Sequence, residues 1–390
     1  MIYVVTRQGS RERQMTFDEL FYQEFNPRKF ERKETYDTRT EVRNSLSSEL
    51  LRYVDTIGMM QKLIDFNKQT KELREHNREE LYHTFYIPKS SGGRRRIDAP
   101  KDELMAALRV LKSILEEDFG VLYHTSAFAY IKHRSTIDAI KRHQRNESKW
   151  FLKLDLHDFF GSTTLEFVMK MFSQIFPFSE VVKYPQGREA LLQALSLAFL
   201  NGGLPQGTPI SPLITNVMMI PIDHELANTL RNFETDRLDQ TGKAFREHLT
   251  YTRYADDFLI SGKYNFDWRK IQQLVFDVLK KYDAPFSVNA KKTRYGSNAG
   301  RNWNLGVMLN ADNQITVGYK RKKEFQKMVY QYITETRAGN GWPIDEVQHL
   351  QGLYSYYHMV EPETFDRIVK FINEKYSVDF LTMIKADISA

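Results

Sequence analysis

Two adjacent carboxylates at the tip of a predicted hairpin constrain this chain more than any other feature. The segment HLTYTRYADDFLISG places Asp256 and Asp257 between two β-prone runs, so both acids lie where one strand turns into the next. Adjacent carboxylates repel each other and are costly unless a cation neutralises them. The sequence therefore predicts a hairpin that presents a cation site.

A third carboxylate follows a short apolar alternation about 100 residues earlier. In FLKLDLHDFF, Asp155 lies near the end of a predicted strand that leads into a tight turn. If this strand neighbours the hairpin, three carboxylates supply the hard oxygen ligands that suit Mg²⁺. Two such ions about 4 Å apart can activate a hydroxyl nucleophile and stabilise a leaving pyrophosphate. The pattern favours phosphoryl-transfer chemistry.

The remaining pattern mixes strands and helices. LYHTFYIPKSSGGRRRIDAP predicts a hairpin with a Ser/Gly turn, and KDELMAALRVLKSILEEDF predicts an amphipathic helix. Helices are also predicted around Leu50 to Leu63 and from about residue 319 onwards. The long polar segment at 231–249 is predicted to be a surface insertion. We therefore expect an α+β fold.

Composition narrows the class of partner. The 390 residues carry a net charge of +6, which favours an anionic partner without naming it. The chain has no cysteine, which excludes disulfides and thiolate metal sites. No run approaches the roughly 20 apolar residues of a membrane helix, and the first residues lack the apolar core of a secretory signal. We expect a cytoplasmic protein with no membrane partner.

Seven motifs in a fixed order resemble those of the bacterial reverse transcriptases, the group that includes group II intron proteins, retrons and abortive-infection or other phage-defence enzymes. The motifs are GGRRRIDAP, SAFAYIKHRSTIDAI, FLKLDLHDFFGST, GGLPQGTPISPLITN, TRYADDFLISG, VNAKKT and WNLGVML. The resemblance covers about residues 82 to 360. It implies an RNA-directed DNA polymerase that adds dNTPs to a 3′-hydroxyl with two Mg²⁺ ions, for which Mn²⁺ can substitute.

The resemblance assigns roles at the acidic centre. It implies that Asp155 and Asp256 are the main metal ligands, with the Leu156 carbonyl beside them, and that Asp257 completes the set. Lys292, in VNAKKT, resembles the family lysine near the leaving pyrophosphate and is a candidate general acid.

The resemblance also implies a nucleotide-binding set. Phe160 matches the aromatic position under the incoming sugar, where a rigid ring would clash with a 2′-hydroxyl. Gln206 is expected to lie against the incoming nucleotide or the templating base, and Gly207 to permit close approach of the backbone. Arg95 and Arg96 are expected to bind the triphosphate, and the choice between them stays open because Arg94 also competes.

The expected architecture is that of a right-hand polymerase. A helical N-terminal extension is predicted over residues 1–80, fingers and palm with an antiparallel sheet plus helices over 81–318, and a helical thumb with a C-terminal tail over 319–390. Leu305 and Gly306 resemble a primer-grip turn. Tyr354, Tyr356 and Tyr357 either follow a duplex backbone or pack between the thumb helices.

The subgroup and its partners are hypotheses by analogy. IDAIKRHQ at 137–144 does not match the Asn-Ala-x-x-His signature of retron enzymes, and few residues follow the predicted thumb, so a stand-alone enzyme is expected rather than an intron maturase. We expect a noncoding RNA template, a DNA primer and product, and a role in anti-phage defence. An accessory defence protein or a homo-oligomer is a further hypothesis.

Other functions stay open. An RNA-dependent RNA polymerase, a template-independent or protein-primed DNA polymerase, and a non-catalytic RNA-binding scaffold are all compatible with parts of the pattern. Phe160 argues against the use of ribonucleotides, and the intact Asp155, Asp256 and Asp257 argue against a scaffold.

Overall fold

The computed structural model of the chain describes residues 2–4, 13–15, 48–88, 92–116, 123–238, 244–297 and 306–389; for 2–4, 13–15, 48–55, 235–238 and 244–245 it describes the backbone alone. The chain divides into two units, Met1–Gln69 with Phe176–Ala194, and Thr70–Ile175 with Leu195–Ala390.

The strands are β1 (Ile2–Val4), β2 (Arg13–Met15), β3 (Tyr82–Pro88), β4 (Arg94–Pro100), β5 (Trp150–His157), β6 (Phe233–Leu238), β7 (Ala244–Glu247), β8 (Thr250–Tyr254), β9 (Asp257–Gly262), β10 (Ser287–Val288), β11 (Arg294–Ser297), β12 (Met308–Leu309) and β13 (Ile315–Thr316). The helices are α1 (Ser48–Gln69), α2 (Lys71–Glu75), α3 (Asp102–Glu116), α4 (Thr136–Arg145), α5 (Phe159–Ser162), α6 (Leu165–Phe172), α7 (Phe178–Val181), α8 (Pro185–Ser196), α9 (Ser211–Met218), α10 (Ile220–Arg231), α11 (Trp268–Lys281), α12 (Tyr319–Arg337), α13 (Ile344–Val360), α14 (Pro362–Tyr376) and α15 (Phe380–Ser389).

The first unit is built on the long helix α1. Its buried residues Met59, Leu63 and Phe66 recur at helical spacing, so they form one apolar stripe. The Asn67 side chain donates a hydrogen bond of 2.8 Å to the Ala190 carbonyl in α8. The helix predicted around Leu50 to Leu63 is therefore present, whereas β1 and β2 pair as short antiparallel strands within the segment predicted to be helical.

The second unit contains the principal sheet, which is antiparallel throughout. Its strand order is β10, β5, β9, β8, and β11 pairs with the same strand β5 further along. Strand β5 is buried on both faces, since Phe151, Leu152, Leu154 and Leu156 are each 1% exposed or less. A strand buried on both faces must lie between layers of helices or loops, which gives its carboxylate a rigid position.

A buried histidine ties helix α4 to this sheet. The two ring nitrogens of His143 lie 2.5 Å from Ser261 Oγ in β9 and 2.8 Å from Thr252 Oγ1 in β8. Burial lowers the pKa of His143 to about 3, so the imidazole is neutral at ordinary pH. The contact is a structural one, between a helix and two sheet strands.

Two predicted hairpins are present, and the polar insertion is a third. Strands β3 and β4 pair over seven residues each, and β8 and β9 form the hairpin that carries the paired acids. The segment at 231–249, predicted to be a surface insertion, contains the paired strands β6 and β7. At its end Glu247 is buried and accepts a hydrogen bond of 3.1 Å from the Tyr264 amide.

Helices α12 to α15 form a helical C-terminal region, as predicted from residue 319 onwards. Phe325 lies at its centre and stacks on Tyr354 at a centroid distance of 6.2 Å, while Tyr357 is 8% exposed. Tyr354 and Tyr357 therefore pack between helices. Glu361 joins α13 to α14 and accepts hydrogen bonds from Thr316 Oγ1 at 2.9 Å and from the Val317 amide at 2.8 Å.

Within the described part of the chain, no helix is long and apolar enough to cross a membrane.

Candidate functional site

The three predicted acids lie together at one end of the principal sheet. Asp155 in β5 is directly opposite Asp257, the first residue of β9. The Leu156 amide donates a hydrogen bond of 3.0 Å to the backbone carbonyl of Asp256. The strand predicted from FLKLDLHDFF and the hairpin predicted from YADD are thus neighbours, as their chemistry required.

The hairpin turns through Ala255 and Asp256. Ala255 has φ of +56°, in the left-handed region that residues other than glycine rarely adopt. This turn places Asp256 between β8 and β9, beside the end of strand β5.

Burial and mutual repulsion make these carboxylates unusual acids. Burial raises the pKa of Asp256 to about 6, and the nearby Asp257 charge adds to the rise. Burial likewise raises the pKa of Asp257, against the effect of the Lys153 ammonium. Each shift reports a cost of holding negative charge at this position, which a bound cation would remove.

Two lysines neutralise part of the acidic charge. Lys292 Nζ lies 2.9 Å from Asp155 Oδ2, and Lys153 Nζ lies 2.9 Å from Asp257 Oδ2. Lys292 reaches the acids because its segment turns back from β10, where the Asn289 amide donates a hydrogen bond of 2.8 Å to the Asp155 carbonyl. Lys292 was predicted to be near the acids. Lys153 was not, although its position two residues before Asp155 on the same strand face was a usable signal.

One oxygen atom of the acidic cluster is suited to coordinate a cation. Asp155 Oδ1 is buried and has no hydrogen-bond partner, which is costly unless a cation or another donor satisfies it. Among the described residues, no group of three or more His, Cys, Asp or Glu side chains is already arranged around one metal position. The donor set of Asp155 and Asp256 fits a hard cation that takes its remaining ligands from elsewhere, as Mg²⁺ does from water and phosphate.

Phe160 lies on the short helix α5, which follows strand β5. Its neighbour Phe159 is buried and packs against Phe286 at a centroid distance of 5.0 Å, whereas Phe160 is half-buried. The Leu204 amide donates a hydrogen bond of 3.0 Å to the Phe160 carbonyl, which joins this helix to the Gly/Pro loop. Phe159 thus serves the core and leaves Phe160 as the ring at the surface.

The loop that contains Gln206 and Gly207 is held against strand β4. The Asp98 amide donates a hydrogen bond of 2.8 Å to the Gln206 carbonyl. Gly207 has φ of +117°, and a Cβ there would lie 2.8 Å from Ile97 Cγ2 and 3.1 Å from the Asp98 carbonyl oxygen. Position 207 therefore requires glycine for both conformation and space.

Within the same loop, Ser211 fixes the turn into helix α9. Its hydroxyl donates to the Pro205 carbonyl at 2.9 Å and lies 2.6 Å from Thr208 Oγ1. These contacts hold the loop in one conformation.

The two predicted triphosphate-binding arginines lie on opposite faces of the β3–β4 hairpin. Arg96 Nε lies 2.8 Å from Asp98 Oδ1, which also accepts a hydrogen bond from Thr84. Arg95 shares its face with Ile97, the residue that contacts Gly207. Arg95 is thus directed to the Gln206 side of the hairpin, while Arg96 is paired with a carboxylate.

Tyr130 is a residue at this site that the sequence did not single out. Partial desolvation raises the pKa of its hydroxyl, the Asp256 charge adds to the rise and the Arg95 charge opposes it. The residue is 57% exposed and has φ of +60°.

The predicted primer-grip turn is described in part. Gly306 has φ of +94° and its carbonyl accepts a hydrogen bond from the Arg321 guanidinium in α12. Leu305 lies outside the described residues.

The chain is similar to known reverse transcriptases along most of its length. The family model for reverse transcriptase (RNA-dependent DNA polymerase) matches residues 87–333. The Retron Ec83 reverse transcriptase of Escherichia coli is 26% identical over 311 residues, which cover 78% of this chain and 89% of that protein. The Retron Mx65 reverse transcriptase of Myxococcus xanthus is 28% identical over 313 residues, which cover 76% of this chain and 65% of that protein.

Among solved structures, telomerase from Candida albicans in complex with a TWJ fragment of telomeric RNA aligns with a TM-score of 0.43 at 14% identity, covering 78% of this chain and 58% of that one.

The similarity to retron enzymes supports a retron-type relationship although 137–144 departs from the expected retron signature. Since the family model spans more than half of the residues and the acids meet as its chemistry requires, the chain belongs to the reverse transcriptase family of RNA-dependent DNA polymerases.

Proposed function

We propose that Asp155, Asp256 and Asp257 form the catalytic centre at which this reverse transcriptase adds deoxynucleotides to a 3′-hydroxyl on an RNA template. The observation that carries the proposal is the cross-strand pairing of Asp155 with Asp257, which brings acids from distant segments to one end of the sheet. Reverse transcriptases use divalent metal ions. Here the proposed cofactors are two Mg²⁺ ions, or Mn²⁺ in their place, because the ligands are carboxylate and carbonyl oxygens.

Each residue of the centre has a separate proposed task. Asp155 and Asp256 hold the cations together with the Leu156 carbonyl; when bound, such ions activate the attacking hydroxyl and stabilise the leaving pyrophosphate. Asp257, paired with Lys153, balances charge beside the primer end. Lys292 has a side chain that is 58% exposed and lies 2.9 Å from Asp155, and its proposed task is to give a proton to the pyrophosphate.

The incoming nucleotide is proposed to occupy the space between these acids and the β3–β4 hairpin. Phe160 would exclude a 2′-hydroxyl, while Gln206 and Gly207 would border the base and sugar. Arg95 would bind the triphosphate because its face of the hairpin is the one that contacts the Gln206 loop, and Arg96 would support the hairpin through Asp98.

The biological role is proposed by analogy. The similarity to retron reverse transcriptases supports a noncoding RNA as template and a DNA copy as product. A net charge of +6 favours binding to a polyanion. We extend the proposal to a stand-alone cytoplasmic enzyme of anti-phage defence, with an accessory protein or a second copy of the chain as further partners.

Primer extension tests the proposed function directly. A primed RNA template is offered with dNTPs or with rNTPs, and the same primer is offered without template. We expect synthesis only when the template is present and the substrates are dNTPs. Preferential use of rNTPs would contradict the role of Phe160, and addition of dNTPs without template would instead support a template-independent polymerase.

The matched variants for this assay are Asp256→Asn and Asp283→Asn. Asp256→Asn should abolish synthesis and leave RNA binding in a filter assay intact, because it removes a cation ligand without changing shape. Asp283 is an exposed acid at the end of α11, with a side chain that is 82% exposed, and its variant should retain synthesis. Synthesis by Asp256→Asn at the wild-type rate would remove this residue from the mechanism.

A further inference from the structure

The turn that presents Asp256 is bonded to a buried guanidinium. Arg253, at the end of β8, is fully buried, and its Nη1 donates a hydrogen bond of 3.2 Å to the Ala255 carbonyl. Ala255 has φ of +56°, a backbone conformation that is unfavourable for any residue with a Cβ atom. The guanidinium therefore bonds the backbone of this turn at its left-handed position.

The charge of Arg253 is balanced by a buried carboxylate. Asp223 in helix α10 accepts hydrogen bonds from Arg253 Nε at 2.9 Å and from Nη2 at 2.8 Å, and both side chains are 0% exposed. Desolvation offsets most of the attraction in such a pair, so a buried ion pair contributes little net stability compared with apolar residues of similar size. What the pair provides is a fixed position for the guanidinium.

A third side chain orients the remaining nitrogen of Arg253. Asn216 in helix α9 is 2% exposed; its Oδ1 accepts from Arg253 Nη1 at 3.1 Å, and its Nδ2 donates to the Ala129 carbonyl at 2.7 Å. The nitrogen that bonds to Asn216 is the same one that bonds to the Ala255 carbonyl. Loss of the Asn216 acceptor would therefore leave that nitrogen free to leave the turn.

We propose that Arg253 and Asn216 are positioning residues for the catalytic turn. Together they fix the backbone at Ala255 and so set the direction in which Asp256 presents its carboxylate. This inference rests on the proposed role of Asp256 as a cation ligand. Neither residue touches the substrate; both act through the turn.

The experiment compares Asn216→Leu with the wild-type chain in two measurements. Mn²⁺ binding is measured by calorimetry with the metal alone, and kcat and the KM for dNTP are measured by primer extension. We expect the Kd for Mn²⁺ to rise and kcat to fall on the order of tenfold each, because residues that orient a metal ligand typically change affinity or activity by 10- to 100-fold. The KM for dNTP should change much less.

Two variants separate positioning from ordinary loss of packing. Thr252→Val removes a buried hydrogen bond to His143 from the neighbouring residue of the same strand, so it should lower the melting temperature without changing Mn²⁺ affinity or kcat. Asn216→Asp keeps an acceptor for Arg253 and loses the donor to Ala129, so it should retain most of the wild-type Mn²⁺ affinity. Equal losses in Asn216→Asp and Asn216→Leu would assign the effect to the Ala129 contact and overturn the proposal.

Asn216→Ser provides a second test of the same contact if the leucine variant fails to fold. A folded variant with wild-type Mn²⁺ affinity and kcat, whether Asn216→Leu or Asn216→Ser, would overturn the proposal. Asp256→Asn is measured in parallel. If it retains synthesis, the proposed function fails; if it is inactive while the Asn216 variants are unaffected, the positioning inference alone fails.

Discussion

Lys153 shows how one strand position shapes the acidic centre. Side chains alternate along a strand, so Lys153 and Asp155 share a face of β5, and the lysine reaches across to Asp257 at 2.9 Å. Burial raises the pKa of Asp257, and the Lys153 charge limits that rise. The lysine thus helps to keep the second acid of the pair ionised.

We expect Lys153→Met to shift the acidic limb of the kcat/KM profile to higher pH. Without the ammonium, the pKa of Asp257 rises further, so a higher pH is needed to ionise the acids; an opposite charge at this range typically changes a carboxyl pKa by roughly 1 to 3 units. The profile of kcat/KM reports groups of the free enzyme. Lys153→Arg should stay close to wild type. Lys149→Met, at an exposed position just before β5, is the matched control. If the acidic limb of Lys153→Met is not shifted, Lys153 does not influence the pKa of the acids.

Burial of His143 should make the stability of the fold depend on pH. Its pKa is lowered from 6.5 to about 3 by burial, so the folded chain binds the proton more weakly than the unfolded chain does. The stability due to the neutral ring is complete above pH 6.5 and is lost as the pH falls towards 3. Between those two pH values, titration of this residue alone should lower the free energy of unfolding by about 1.4 kcal/mol for each unit by which the pH falls.

Urea unfolding at a series of pH values measures this effect. His143→Gln keeps a group able to bond Ser261 and Thr252 but does not titrate, so its free energy of unfolding should depend less on pH between 6.5 and 3. His76→Gln, at an exposed position, should keep the wild-type slope. Equal slopes in wild type and His143→Gln would exclude a titration of His143 on unfolding.

At the scale of elements, strand alternation gives Arg95 and Arg96 different surroundings. Adjacent residues of a strand point to opposite faces, but the run RRRIDAP does not show which of these faces lies towards the Gln206 loop. In the structure Tyr86 is opposite Arg96 and Ile87 is opposite Arg95, so the two arginines point to different sides. The predicted hairpin is present, and its contacts with the Gln206 loop and with Asp98 distinguish the surroundings of the two arginines.

We expect Arg95→Ala to raise the KM for dNTP more than Arg96→Ala does. Arg95 lies on the face towards the Gln206 loop, and loss of a charge-assisted phosphate contact of about 1.5 to 3 kcal/mol corresponds to roughly a 10- to 150-fold weaker interaction. Arg96→Ala removes the partner of Asp98, so it should mainly lower the melting temperature. Steady-state kinetics and thermal unfolding of both variants measure this, and a larger KM in Arg96→Ala would reverse the assignment.

At the scale of the whole molecule, the sequence predicted the meeting of acids far better than their surroundings. Asp155 and Asp256 could be paired in advance because one lies near the end of a predicted strand and the other at a predicted hairpin tip, in motifs with a known order. The cations around them could not, since Lys153 binds across strands and Lys292 arrives by the pairing of β10 with β5. The arrangement of Arg253, Asp223 and Asn216 depends on three separate elements. Contacts of this kind follow from tertiary packing, which local patterns do not specify.

The final prediction concerns the nucleic acid that the whole protein selects. If the template is a dedicated noncoding RNA, wild-type protein purified from its native cells should carry one predominant RNA together with a complementary DNA. Asp256→Asn should carry the same RNA without the DNA, because binding to a basic surface does not need the catalytic acid. Sequencing of both nucleic acids measures this, with Asp283→Asn as the control that retains the DNA. A broad mixture of cellular RNAs with wild-type protein would contradict a dedicated template while leaving the polymerase chemistry intact.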